Sequence, residues 1–352
     1  MAPSAQSAQG AVTWVVHGAG FGHGVGMGAY GAYGYAKHGF TANQILTHYF
    51  TGTQVTTLKT APIVRVLLKV SAGDVSFTKA THACGQRLNS ALSYRASRFG
   101  VSVRLLSPSG TLLARCGKRL HASGAGTIQV GAVGTYRGAL EVVPASGALN
   151  VINAVDVNDY AQGVLPGEIF PSWPEAALEA FAIAARSIAL STHVGGAGFD
   201  LYPDTRTQVY AGFAKETDRT NNAVRATLNQ VVMYNGQVAQ TLYCSSSGGR
   251  TESGFLGAPP VPYLKSVDDP YDYYAPLHRW TVRFTEAQMN ARLAPYLRGS
   301  LRQIVVTKRG DSPRIDFANL VGSGGTTSIR GDTLAAALGL YDRWASFQKV
   351  GG

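Results

Sequence analysis

One carboxylate stands out for what its surroundings would do to it. Glu168 lies between Leu165 and Ile169, in a stretch that also holds Pro166, Gly167, Pro171 and Pro174. An acid among apolar and proline neighbours is poorly solvated, and desolvation raises a carboxyl pKa toward the range a general acid needs. The competing reading is an ordinary surface-loop glutamate. Two histidines, His17 and His23, fall in a segment with glycine at positions 18, 20, 22, 24, 26 and 28. That segment lacks G-x-G-x-x-G spacing and a following Gly-Lys-Ser/Thr, so it is not read as a nucleotide loop. No third ligand stands at metal-binding spacing, and the glycines are read as a tight turn that presents His17 and His23 at a cleft. Ser245, Ser246 and Ser247 sit in no G-x-S-x-G elbow. They are read as a polar loop whose hydroxyls bind sugar or brace Glu168. Cys84-Gly-Gln-Arg-Leu88 and Cys116-Gly-Lys-Arg-Leu120 are near-copies. Their cysteines could close a disulfide and leave Cys244 free, and without C-x-x-C spacing they make no zinc site.

The elements that must position these residues predict an α+β fold, with a central Ala-rich helix packed on mostly antiparallel β structure. Ser172 reads as an N-cap, Glu175 completes a capping box, and Pro174 falls in the first turn. Leu178, Phe181, Ala182, Ala185, Ile188, Ala189 and Thr192 then recur at helical spacing on a face built largely of small side chains. The prolines before this helix are expected to make a rigid connector around Glu168. Helices are also expected over Ala29–Gly39, Thr41–Tyr49, Asp218–Leu228, from Gln288 onward and near Thr333–Leu340. Short apolar runs at Ala11–Val16, Ile63–Val70, Val101–Leu106, Leu112–Arg115, Thr127–Val130, Leu140–Val143, Leu149–Val157 and Ile304–Lys308 read as strands. Asn235-Gly236 marks a hairpin with arms Val231–Tyr234 and Val238–Tyr243. Gly195–Gly198 reads as a flexible break, and Val75–Ala125 as an inserted or appended β subdomain.

The bulk composition sets limits. The chain has 352 residues, 45% hydrophobic and 14% charged, with 42 glycines and a formal net charge of +11. Such a charge points to an anionic partner. Lys and Arg read as scattered, with no basic stripe interleaved with aromatics, which disfavours nucleic acid. An acidic polysaccharide or a cell-wall surface fits a diffuse positive field. No run of about eighteen apolar residues occurs, so no transmembrane helix is expected. Met1–Gly10 is small and polar and reads as a trimmed start, as after removal of a signal peptide.

Several stretches together resemble the SpoIID/LytB family of bacterial sporulation and cell-wall proteins. They are Tyr160-x-x-Gly163-Val164-Leu165-Pro166-x-Glu168, and Ser172-Trp173-Pro174 followed by the alanine run to Arg186. Thr207-Gln208-Val209-Tyr210-x-Gly212, Tyr243-x-Ser245-Ser246-Ser247-Gly248-Gly249-x-Thr251-Glu252 and Gly22-His23-Gly24-Val25-Gly26-Met27 complete the set. Tyr263–Pro270 is similar to a further family segment. In the family the Gly-His-Gly-Val-Gly-Met block usually closes the domain, after a segment like Gly331–Leu340. Here it opens the chain, which implies a circular permutation. Residues 1–61 are then a displaced part of the core, 62–145 a β-rich subdomain, and 146–352 the SpoIID core. Gly28-Ala29 stands where Ser-Gln is common, and Asp200–Thr207 where some members carry zinc ligands, so no metal and no cofactor is carried over.

The resemblance implies a peptidoglycan lytic transglycosylase acting on glycan strands, extracellular or associated with the cell wall. Such an enzyme can work with one carboxylate, because the muramic acid C6 hydroxyl attacks its own anomeric centre. Glu168 would be the acid/base. Gln208, Tyr210, Ser245, Ser246, Ser247 and His23 would line the substrate groove, with Arg186 either binding there or orienting the connector. The alternative is a non-catalytic wall-binding protein or amidase modifier, whose partner would be a cell-wall amidase.

Overall fold

The computed structural model describes residues 13–196 and 198–351. Met1–Gly10, the first two residues of the strand expected from Ala11, and Ala197 in the expected break lie outside the described residues. The α-helices are α1 (Ala29–Lys37), α2 (Ala42–Tyr49), α3 (Val157–Glu168), α4 (Glu175–Ser191), α5 (Asp218–Ala226), α6 (Glu286–Leu293) and α7 (Gly331–Leu338). With several β-sheets they make an α+β fold. The chain forms two compact units. Unit 1 takes in the described residues up to Phe40, Thr47–Gly52 and Leu242 onward; unit 2 takes in Thr41–Leu46 and Thr53–Thr241.

Unit 2 contains two six-stranded antiparallel sheets. The first orders the strands 63–71, 148–156, 139–145, 120–123, 82–83 and 86–87; the second orders 112–115, 102–106, 94–99, 75–78, 127–130 and 134–137. Their inner faces bury Val142, Val151, Leu120 and Ala122 from one sheet, and Val103, Leu105, Phe77 and Ile128 from the other. Burial alternates along 75–78, 102–106, 120–123 and 127–130 and places the apolar residues inside, whereas Leu149–Val155 is buried throughout. Ala148–Asp156 is hydrogen-bonded to Ile63–Ser71 on one side and Ala139–Ala145 on the other. An expected boundary at 145/146 therefore falls inside a hairpin, and residues 62–145 share a sheet with the strand Ala148–Asp156. Cys84 and Cys116 form a disulfide, with Cα atoms 5.3 Å apart and a sequence separation of 32. Closing a loop of that length stabilises by about 3–4 kcal/mol on the chain-entropy estimate. Cys244 is free and buried.

The Ala-rich helix differs from its expected setting. Ala177, Leu178 and every residue from Ala180 to Ala189 is buried, so α4 is enclosed on most of its circumference rather than along one stripe. It packs against α3, α5 and the strand Gln230–Tyr234. Alanines allow those close approaches on several sides. The helix also starts later than Ser172 would dictate. Pro174 is the N-cap and makes no side-chain cap bond, because Phe170–Trp173 form a turn of their own, with Trp173 N–H donating to the Phe170 carbonyl. Trp173 is buried and its carbonyl accepts from Arg219 at 2.8 Å. The expected connector before it is α3, capped by Asp156, which accepts from the N–H groups of Asn158 and Asp159. Pro166 is contained near the end of that helix.

In unit 1, Thr13–Ala19 is the centre of a three-stranded antiparallel sheet between Arg279–Thr285 and Ala345–Val350. A second sheet joins 301–309, 315–322 and 325–330. Trp14, Val16, Trp280, Phe284, Met289, Leu320, Leu334 and Leu338 form the core that α6 and α7 help to enclose. The second arm of the Asn235-Gly236 hairpin is shorter than expected: it stops at Val238, and Tyr243–Cys244 instead pairs in parallel with Met27–Gly28.

Candidate functional site

Glu168 is the last residue of α3 and is half-buried. Its Oε1 accepts a 2.7 Å hydrogen bond from the Val209 backbone N–H. The 208–211 segment is fixed from several directions. Tyr160, on α3, donates its hydroxyl to Gln208 Oε1 at 3.2 Å. Tyr210 donates to Asn153 Oδ1 at 2.7 Å, and its ring stacks between Tyr160 and Tyr136 with centroids 5.1 and 5.7 Å away. The Tyr210 N–H reaches the Pro203 carbonyl and the Ala211 N–H the Gly163 carbonyl. Gly163 permits this approach: a Cβ there would stand 2.5 Å from Tyr210 Cε2. Two separate sequence motifs are thus joined at one carboxylate.

Gln208 and Tyr210 are 1% and 6% exposed, which corrects the expectation that they line a groove. Buried side chains do not touch a polysaccharide; here they aim the Val209 amide. Burial raises the Tyr210 hydroxyl pKa well above normal, and burial followed by the Glu168 charge does the same for Tyr160. Both hydroxyls stay neutral donors. Arg186 is fully buried in unit 2 and donates to the Val224 carbonyl at 2.7 Å, to Thr227 Oγ1 and to the Gln230 carbonyl. Burial lowers its pKa to about 10. It ties α4 to the end of α5 and the strand after it, and these bonds reach neither the connector around Glu168 nor an open groove.

Sequence reasoning did not single out Asp159, which is also on α3 and half-buried. Burial, then the Asp156 charge, raises its pKa to about 6. It stands nine residues before Glu168, or roughly 13–14 Å along the axis and on the opposite face of the helix. Paired glycosidase carboxylates lie about 5–9.5 Å apart, so these two do not form such a pair.

The remaining expected site residues are in unit 1. His23 is held in a loop whose glycines at 20, 22, 24 and 26 all have positive φ. A Cβ on Gly24 would overlap the Arg314 guanidinium, so the loop can wrap that side chain only with glycine. His23 Nδ1 accepts from the Val25 N–H at 3.0 Å, and burial lowers its pKa to about 4, leaving the ring neutral at pH 7. His23 lines a cavity of about 340 Å³ with Phe255, Leu340, Tyr341 and Arg343. His17, by contrast, is on the central strand of its sheet and bonds to Thr281.

Ser246 and Ser247 are fully buried and brace neither Glu168 nor a sugar. Ser246 donates to Asp272 and Ser247 to Asp269, each at 2.7 Å. Asp272 also accepts from the N–H groups of Ser247 and Gly248 and contacts His278 Nδ1 at 2.8 Å. Ser245 is half-buried, and its carbonyl accepts from the Tyr30 N–H. Asp269 lies in the Tyr263–Pro270 segment, which with the Ser245–Ser247 motif is the sequence signal for this network. Burial, then the charge of Asp272, raises its pKa to about 7. Among the described residues no group of three His, Cys, Asp or Glu side chains gathers as metal ligands, and no helix is long and apolar enough to cross a membrane.

A family model described as "SpoIID: Stage II sporulation protein" matches residues 145–234, which include α3, α4 and the Gln208 segment. Stage II sporulation protein D of Bacillus subtilis is 29% identical over 207 residues, covering 54% of this chain and 59% of that protein. The amidase enhancer of the same organism is 36% identical over 133 residues, 37% of this chain and 18% of that protein. An uncharacterized protein of Brachyspira hyodysenteriae is 35% identical over 166 residues, 46% of this chain and 45% of that protein. The chain thus spans about half, or less, of the length of these relatives. The family-model match takes in the helix and loop that hold Glu168, and over that stretch the chain is similar to SpoIID/LytB proteins.

Proposed function

We propose that this protein is a peptidoglycan lytic transglycosylase with Glu168 as its single acid/base, at the cell wall or outside the cell. The observation that carries the reading is the Val209 N–H bond to Glu168, which fixes one half-buried carboxylate by a rigidly supported loop. In the reaction Glu168 gives its proton to the glycosidic oxygen as the bond to the muramic acid C1 breaks. The C6 hydroxyl attacks C1, its proton passes to the Glu168 carboxylate, and a 1,6-anhydro end forms with no water consumed. An intramolecular nucleophile needs no second carboxylate to activate it, since its effective molarity is already high. A Cys84–Cys116 disulfide suits an oxidising, extracytoplasmic setting.

Digestion of purified sacculi, read by mass analysis, tests this. Glu168→Gln keeps the shape and cannot transfer the proton, so release of anhydromuramyl ends should fall about 10²–10⁴-fold while the fold is kept. Undiminished release by that variant would remove Glu168 from the chemistry. The similarity to an amidase enhancer favours one second reading, a non-catalytic partner of a cell-wall amidase. Intact glycan with the wild-type protein, together with faster stem-peptide release by an added amidase, would select it.

A further inference from the structure

The positive charge is not spread through the chain. Between Val75 and Leu140 there are nine Lys and Arg residues and no Asp or Glu, so this stretch carries +9 of the formal +11. The reading of scattered cations is corrected here. Register shows where part of this charge goes. Arg104 is directly opposite Arg115 on one neighbouring strand and Ser97 on the other, and directly opposed residues share a face. Arg95 and Phe99, two residues either side of Ser97, lie on that same face. The guanidinium carbons of Arg104 and Arg115 sit 4.8 and 5.5 Å from the centre of the Phe99 ring, which is half exposed.

Like charges directly opposed on a sheet destabilise it. Among the described residues Arg95, Arg104 and Arg115 take part in no ion pair, whereas Arg119 and Arg137 are paired with Glu141 and Glu216. The Nε groups of Arg95 and Arg104 are buried without a hydrogen-bond partner. Three planar forks on one face, without counter-charges, match anionic oxygens presented by another molecule.

We propose that the outer face of the strands 94–99, 102–106 and 112–115 binds a phosphodiester polyanion of the polyol-phosphate type. Charge complementarity selects an anionic polymer, and the ring chemistry selects against nucleic acid. Single-stranded nucleic acid binding stacks successive bases on several aromatic side chains, and Phe99 is the one aromatic on this face of the three strands, with two guanidinium groups beside it. The site is separate from Glu168 and does not depend on the reaction assigned to it.

The test compares two triple variants of equal charge change. Arg95→Gln/Arg104→Gln/Arg115→Gln removes the face, and Arg283→Gln/Arg298→Gln/Arg302→Gln removes three exposed cations of unit 1. Binding to synthetic poly(glycerol phosphate) is measured from 50 to 200 mM salt, with thermal melts to establish that each variant is folded. Three lost phosphate contacts should flatten the salt response by roughly 20- to 40-fold over that range in the face variant alone. An Arg→Lys triple at the same positions should fold and keep most of the salt response, which separates lost charge from lost structure. Equal loss in both Gln triples would reduce the effect to net charge and overturn the site. So would wild-type binding by the face variant, or tighter binding of single-stranded DNA with the same number of phosphates.

Discussion

Tyr210→Phe separates a residue that touches substrate from one that positions the loop holding Glu168. The substitution removes a single atom, the hydroxyl that donates to Asn153 Oδ1 at 2.7 Å. Asn153 keeps its own donated bonds to the Arg137 and Ala139 carbonyls, so its oxygen is left buried without that partner. Leaving a buried acceptor unsatisfied costs about 1–3 kcal/mol. The stacking against Tyr136 and Tyr160 is retained, because the ring itself does not change. In urea, with a slope of about 2–3 kcal/mol per molar, the midpoint of the transition that reports on unit 2 should drop by roughly 0.3–1.5 M at constant slope. Glycan binding should stay within a few-fold, and cleavage should suffer through a less well aimed Val209 amide. A Tyr210→Phe protein as stable as wild type that has lost glycan affinity would refute the reasoning, because the hydroxyl would then have to reach the substrate.

Two further expectations rest on particular residues. Asp269 has a folded pKa of about 7, against an ordinary carboxylate value near 4 in the unfolded chain, so the folded state holds the proton more tightly. Its contribution to stability is present below pH 4 and is lost as pH rises toward 7, by up to about 4 kcal/mol. Asp269→Asn should abolish this part of the pH dependence in melts of unit 1, and an unchanged slope between pH 4 and 7 would count against the assignment. The circular permutation can be tested by joining Val350 to Thr13 through a short turn and opening the chain between Lys59 and Thr60, both in the loop after the strand 54–57. That protein should melt cooperatively within about 1 kcal/mol of the original; failure to fold would show that the present connectivity is required.

Local rules made much of the secondary structure legible, and tertiary packing hid the rest. The strands Leu112–Arg115 and Thr127–Val130 and the helices α1, α2 and α5 arise from period and turn chemistry that act within a few residues. The strand 345–350 escapes sequence reading because its partner 13–19 is distant, and 325–330 because its run is short and polar; 315–322 carries an alternating burial pattern that sequence reading missed. Ser172 satisfied a capping rule that the burial of Trp173 overrode. Glu168 was legible as an acid with unusual neighbours. Its hydrogen-bond donor was not, since a backbone N–H carries no side-chain signature. Gln208, Tyr210, Ser246 and Ser247 are expected from the sequence at a groove, and their side chains are buried instead. Residue type alone does not distinguish a hydroxyl that meets a ligand from one that holds a buried aspartate.

We propose the permutation on hydrogen-bond register as well as motif order. Thr13 is paired directly with Val350, Trp14 with Lys349, and the ladder continues to Gly18 and Ala345. Although Thr13–Ala19 pairs in the same way with Arg279–Thr285, neighbouring antiparallel strands can be joined into a hairpin by a tight turn, with Cα atoms only about 4.5–5.5 Å apart across the ladder. Here the two arms are separated by nearly the whole sequence. In the family order inferred from the motifs, the segment like Gly331–Leu340 runs directly into the Gly-His-Gly-Val-Gly-Met block, which is the connection such a hairpin would provide. The loop after residues 54–57 offers the corresponding opening. Its flanking strands belong to different sheets, 54–57 beside Gln230–Tyr234 and 63–71 beside Ala148–Asp156, so no ladder is broken by a cut between them. A permutation that moves the opening from one turn to another leaves every strand pair intact. In either chain order the Gly-rich loop would keep its place over Arg314.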